Sequence, residues 1–292
     1  MSFGHASLVR AELFRIARQR SNWLLPLVPL AGLVVLAALT ATSYGLTSTN
    51  GKTVLSLARD LTDTASVVLA MTLGAPLLLI AARTAAHDHH YGTVRLLVGG
   101  GAGRGRLVAA KLTAAGAIAL AALAVGVACA AVAVALGSPS LAGRMMSLPQ
   151  TYWHELLLDV FSVAVSLGCC VILGTFTSTV SRSLAAGLTA AMVWLPAEQA
   201  LTGVFAFLAG TAHADVFATA TGWLLAPNLD HLTQALQPWR STVEFGARPL
   251  GAGPLPVGPV GAERCLIVIG AWASAFLLAS LVSALGRVDV SE

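Results

Sequence analysis

Charge is scarce in this sequence: only 10% of its 292 residues are Asp, Glu, Lys or Arg. A soluble domain carries about 25%, so this chain cannot clothe a core in a solvated surface. Cysteine is scarce too, and Cys129, Cys169, Cys170 and Cys265 all fall within apolar runs. The adjacent Cys169 and Cys170 point in different directions on a helix. The four read as small buried hydrophobes rather than a disulfide framework.

Catalytic motifs are missing as well. Neither H-E-x-x-H nor G-x-S-x-G occurs, and the His154-Glu155 pair lacks a second histidine. The segment 45–53 imitates a phosphate loop, but five residues instead of four separate Gly45 from Gly51, and an apolar run precedes it. The glycine-rich stretch 99–105 holds no G-x-G-x-x-G register, so it reads as a turn. His87, Asp88, His89 and His90 are metal-ligand types. On a helix, however, His89 leaves the face that His87 and His90 share, and no second ligand cluster follows. No metal site is expected, and ATP hydrolysis is not expected on this chain.

What is present is hydrocarbon-compatible sequence: 57% hydrophobic residues and a mean hydropathy of +0.80. A spanning helix needs roughly 20 mostly apolar residues. Six runs qualify: 23–44, 64–82, 112–136, 160–180, 184–208 and 265–285. The fifth is the weakest, with Pro196 and Glu198 inside it. The expected fold is all-α: one polytopic membrane domain over residues 1–292, with six transmembrane helices. Residues 5–20 read as an N-terminal amphipathic helix lying in the inner interface. Its apolar stripe is Val9, Leu13, Ile16 and Ala17, with Arg10, Arg15 and Arg18 off the stripe. The apolar piece 216–226, too short to span and followed by Pro227, reads as a re-entrant or interface-lying helix before the last span. The Pro/Gly-rich stretch 248–261 reads as loop. No internal repeat supports an inverted-repeat transporter.

Orientation follows from the Lys/Arg bias. With the N-terminus inside, Arg10, Arg15, Arg18, Arg20, Arg83, Arg95, Arg104, Arg106, Lys111, Arg182 and Arg287 are cytoplasmic. Lys52, Arg59, Arg144, Arg240, Arg248 and Arg264 are outside. Six spans then put both termini in the cytoplasm. The N-terminal arginines resemble a signal n-region, but the run behind them exceeds the roughly 7–15 residues of a signal core, and no clear A-x-A site follows. The formal charge of +4 reflects this bias. No basic stripe is interleaved with aromatics, so nucleic acid is not an expected partner.

The polar segment between the second and third runs carries the most specific pattern. It contains Asp88, Gly92-Thr93, Leu96-Leu97, Gly103-Arg104 and Lys111. This spacing resembles the signature region of ABC-2 type transporter permeases, the membrane subunits of ABC exporters. In that family an acidic residue after the second span is followed by Gly-Thr, a Leu-Leu pair, a Ser/Arg turn and a Lys at the start of the third span. The family's common Glu-Arg pair is replaced here by Asp88-His89, and its proline after the leucines by the 99–101 glycines. The interfacial helix, six spans and short helix in the last outer loop are also similar to that family's layout.

The resemblance implies an exporter permease that works as a dimer, with an identical or paralogous second subunit, docked on separate ATPase subunits that bind ATP and Mg. It implies an ATPase-coupling segment of Asp88, Gly92, Thr93, Arg95, Leu96, Leu97, Arg104, Arg106 and Lys111. The expected location is a bacterial cytoplasmic membrane, in contact with lipid. Glu198, ionisable within an apolar run, is the candidate for the translocation path. The alternative is an ion-coupled secondary transporter or, further off, a polytopic membrane enzyme. The substrate is not readable from the sequence.

Overall fold

The computed structural model describes residues 5–19, 22, 26–27, 30–32, 34–35, 39, 54–90, 103–137, 148–209, 214–236 and 261–285. Among them no strand occurs. The helices are α1 (His5–Arg18), α2 (Val54–His90), α3 (Arg104–Gly137), α4 (Gln150–Ser181), α5 (Leu184–Ala209), α6 (Ala214–Thr221), α7 (Leu225–Leu236) and α8 (Ala262–Leu285). The described residues of the expected span 23–44 are helical, and the rest of it lies outside the described residues. So do residues 45–53, 138–147 and 248–260.

Among the described residues, four helices are long and apolar enough to cross a membrane: α2, α3, α4 and α8. The 26-residue α5 is not among them, and Pro196, Glu198 and Gln199 occupy its middle. The chain is therefore a helical protein with the character of a multi-pass membrane protein. At about 1.5 Å per residue, the 37-residue α2 is about 55 Å long, well beyond a hydrocarbon core of about 30 Å. The 32-residue α4 overshoots similarly. Both extend past their apolar runs at their N-terminal ends, where Arg59 of α2 holds Glu155 of α4 through two hydrogen bonds of 2.9 and 2.6 Å. Beside it the hydroxyls of Thr62 and Tyr152 lie 2.8 Å apart.

α2 and α4 form the central pair and run parallel. Arg59 meets Glu155, Gly74 meets Cys170, and Leu78 and Ala81 meet Gly174. Leu73, Leu77 and Ala81 of α2 pack with Val163, Leu167 and Val171 of α4. Helices in lipid gain little from the hydrophobic effect and associate through close packing over small residues. Gly174 supplies that closeness: a Cβ there would stand 2.5 Å from the carbonyl oxygen of Leu78. α4 turns into α5 at Arg182, which takes the left-handed conformation (φ 53°) and donates its backbone N–H to Ser178 O. In the returning helix a Cβ on Gly187 would fall 2.6 Å from Ser178 Cα, so this hairpin is as tight as side-chain-free backbone permits.

The sense of the other helices follows from their contacts. Gly105 of α3 lies against Leu281 of α8, and Phe176 of α4 stacks on Phe276 of α8 at 4.8 Å. Thus α8 runs with α2 and α4, while α3 and α5 run against them. One end of the bundle gathers Arg15, Arg83, Arg104, Arg106, Lys111 and Arg182. The other end holds Arg59 and Arg264 among the described cations.

Two expectations change in detail. The buried face of α1 is Leu8, Glu12 and Ile16; of the expected stripe Val9, Leu13, Ile16 and Ala17, only Ile16 is buried. Ala17 is exposed, and Leu13 is only half-buried. The helix has turned so that its one acidic side chain faces inward, where it finds cations. The apolar piece 216–226 is not one helix. It breaks at Gly222-Trp223, and α7 begins at Leu225, two residues before Pro227. Proline is tolerated there because the first turn of a helix needs no N–H partner.

Candidate functional site: the charged end of α2 and α3

Where α2 ends and α3 begins, α1 lies across both. Ile16 packs against Ile80 of α2 and Ala114 of α3, with Leu13 and Ile118 alongside. Next to this apolar contact, Lys111 is 5% exposed and Glu12 6%. Lys111 Nζ stands 3.4 Å from Glu12 Oε1 and donates to the backbone oxygen of Thr84 at 2.6 Å. Arg15 Nη2 lies 2.7 Å from Glu12 Oε2 and donates to the same Thr84 oxygen at 3.2 Å. Two cations, one carboxylate and one carbonyl thus converge.

The arrangement follows from burial physics. A buried ion persists only when paired and hydrogen-bonded. Lys111 sits immediately before the apolar run of α3, facing α1 and α2, so its ammonium needs acceptors there. Glu12 supplies charge, and the Thr84 carbonyl supplies a second acceptor through the lone pair its helix bond leaves unused. The Thr84 hydroxyl returns to Ile80 O at 2.7 Å, satisfying itself within α2. The cluster joins α1, α2 and α3 at one point.

The expected coupling residues distribute as follows. Asp88 lies in the last turn of α2. Gly92, Thr93, Arg95, Leu96 and Leu97 lie outside the described residues. Arg104 opens α3, and its Nη1 donates to Ala284 O at 3.5 Å, at the C-terminal end of α8. A cation there complements the negative end of the α8 dipole. Arg106 is exposed. Lys111 is the buried hub just described, so it acts within this chain. Glu12 and Arg15 belong to the same site, and sequence reasoning missed them in this role. The available signal was that Glu12 is the one acidic residue in the arginine-rich α1 and shares the i, i+4, i+8 face of Leu8 and Ile16.

Glu198 sits elsewhere, between α5 and α7. It is 7% exposed. Trp194 Nε1 donates to its Oε1 at 2.9 Å, and the backbone N–H of Ala226 donates to its Oε2 at 2.6 Å. The carboxylate therefore caps the N-terminus of α7 from outside that helix, satisfying one of the N–H groups that have no intrahelical acceptor. Asn228 completes the turn by donating to Gly222 O and Leu224 O. Trp272 Nε1 reaches Trp223 O at 2.8 Å, ten residues into α8. Leu225 and Leu232 of α7 are buried with Cys169 and Leu173 of α4 and with Ile269 and Phe276 of α8.

His87 ends the described side chains of α2. Among the described residues no group of three His, Cys, Asp or Glu side chains is arranged to hold a metal. No protein-family model matches the chain, and no curated protein matches it.

Proposed function

We propose that this chain is the transmembrane permease subunit of an ABC-2 type exporter. It would form the substrate path as a dimer and be driven by separate ATPase subunits that carry ATP and Mg. The observation that carries the reading is the setting of the 91–102 segment. It joins the two helices that Lys111 and Arg15 tie to α1 through Thr84, at the end of the bundle where most described cations collect. A push delivered there by an ATPase reaches three helices through one cluster. The motif residues quoted above supply the family resemblance.

On this reading 23–44 and α5 complete six spans. α1 lies in the interface, α6 lies along α5, and α7 dips back into the bundle against α8. The cation-rich end faces the cytoplasm under the positive-inside rule, with both termini there, in a bacterial cytoplasmic membrane. Arg95, Arg106 and the Leu96-Leu97 pair are the contacts for the ATPase, because Arg104 and Lys111 are engaged within the chain. The ion-coupled alternative would draw on Glu198, and both of its carboxylate oxygens already accept N–H donors.

The test is co-purification of the full-length chain with its ATPase, followed by transport-coupled ATP hydrolysis in proteoliposomes. Leu96→Ala/Leu97→Ala with Arg95→Glu should lose the ATPase while the permease stays folded. Transport that persists with no ATPase bound would refute the proposal.

A further inference from the structure

The outward face of α1 is a second surface with its own chemistry. Glu12, the single acidic residue of the helix, is turned inward and compensated by Lys111 and Arg15. What α1 shows to its surroundings is therefore cationic and apolar. Arg10 and Arg18 are exposed, and Phe14 is 67% exposed. A shallow depression beside them is lined by Ser7, Arg10, Ala11, Leu13, Phe14 and Ala17. Its surface is almost wholly apolar, with a guanidinium at its rim.

The height of this face is fixed by what lies behind it. Ile16 rests on Ile80 and Ala114, and Arg15 on Thr84. The apolar run of α2 ends at Ala82 and is followed by Arg83, and that of α3 starts at Leu112 after Lys111. α1 therefore lies at the level where hydrocarbon gives way to headgroups. A helix there, with arginines and one large exposed aromatic on its free face, meets the requirements for interfacial lipid binding.

We propose that the outer face of α1 is a binding site for anionic phospholipid, with Arg10 and Arg18 on the phosphate headgroup and Phe14 seated among the upper acyl carbons. The site requires only that the chain spans a membrane, and it is independent of the exporter reading. The occupant follows from charge: the free face carries guanidinium groups with no exposed carboxylate on the same helix. A zwitterionic headgroup, with its own ammonium, has less to gain there.

The experiment is native mass spectrometry of the full-length chain in neutral detergent, titrated with phosphatidylglycerol or phosphatidylcholine. The wild type should retain phosphatidylglycerol preferentially. A basic residue at an anionic surface contributes about a fivefold preference, so Arg10→Gln/Arg18→Gln should weaken phosphatidylglycerol binding by about 30-fold and leave phosphatidylcholine binding unchanged. Phe14→Ser should weaken both lipids. Because all three side chains are exposed or largely so, these variants should fold, and unchanged thermal unfolding in detergent checks this. Arg106→Gln, exposed at the same end of the bundle, is the control and should leave the preference intact. Three results overturn the proposal: a wild type without lipid preference, a preference that survives Arg10→Gln/Arg18→Gln, or one lost only in Arg106→Gln. Protection of α1 from labelling that depends on an added ATPase and not on anionic lipid would assign this face to a protein and equally overturn it.

Discussion

Replacing Lys111 with Met should destabilise the protein more than almost any other single polar change. The ammonium is enclosed, with side-chain exposures of 6% for Lys111 and 8% for Glu12. Removing one partner of a buried pair costs about 3–5 kcal/mol, because the other charge stays desolvated. Arg15 remains 2.7 Å from Glu12, which places the expected loss near the lower bound, about 3 kcal/mol. Glu12→Gln should cost a comparable amount by taking the carboxylate charge from beside the buried Lys111 ammonium. The double variant Glu12→Gln/Lys111→Met removes both charges. Arg15, with 28% of its side chain exposed, can turn its guanidinium toward headgroups, so the double variant should recover most of the loss. The coupling energy is expected at about 2 kcal/mol or more. Reversible unfolding in mixed dodecyl sulfate micelles measures all four corners of the cycle. Additive losses, with coupling under about 0.5 kcal/mol, would refute the clamp.

The capping role of Glu198 predicts that Glu198→Ala costs about 2–4 kcal/mol, since the buried Ala226 N–H and the part-buried Trp194 N–H lose acceptors at once. Limited proteolysis should then cut residues 210–236 faster than in the wild type. Gly174→Ala and Gly187→Ala should each cost about 1–3 kcal/mol, because the new methyl meets backbone. Gly116→Ala and Gly270→Ala, where nothing lies within 4 Å, should leave the unfolding midpoint unchanged. Arg59→Met should cost only about 1 kcal/mol despite its two hydrogen bonds to Glu155, because that pair is partly exposed, and the effect should shrink in high salt.

The helical class and the positions of α2, α3, α4, α5 and α8 were legible in the sequence, because long apolar runs announce helices whatever their neighbours. Helix ends beyond those runs were not. The N-terminal stretches of α2 and α4 carry polar residues (Arg59, Asp60 and Thr62; Gln150, Thr151 and His154), and there Arg59 and Tyr152 bind partners on the other helix. The face of α1 was misjudged for a similar reason. Hydrophobic periodicity ranks Glu12 as an outward residue until Lys111, about a hundred positions away, is known to lie opposite it. The break between α6 and α7 was hidden because 216–226, with only Thr219 and Thr221 polar, reads as one mostly apolar piece. The signal lay at Gly222 and Asn228, a turn glycine and a side chain that binds the turn's carbonyls. Of the candidate site, the sequence marked Lys111 and Glu198 as unusual. Their partners are contributed by distant segments, and spacing along one chain does not reveal them.

The dependence of α1 on Lys111 has a consequence for biogenesis. Glu12 leaves the ribosome about a hundred residues before Lys111, the second of its two cations, an interval of roughly 5–20 s at ordinary elongation rates. For much of that interval α1 lacks α2, and throughout it lacks α3, so its carboxylate has only Arg15, water and headgroups. Insertion of α3 then delivers the lysine that draws the helix into place. The seating of α1 is thus a late event recorded at an early part of the chain, and arrest of synthesis before residue 111 should leave the N-terminal segment open to labelling that the finished protein resists.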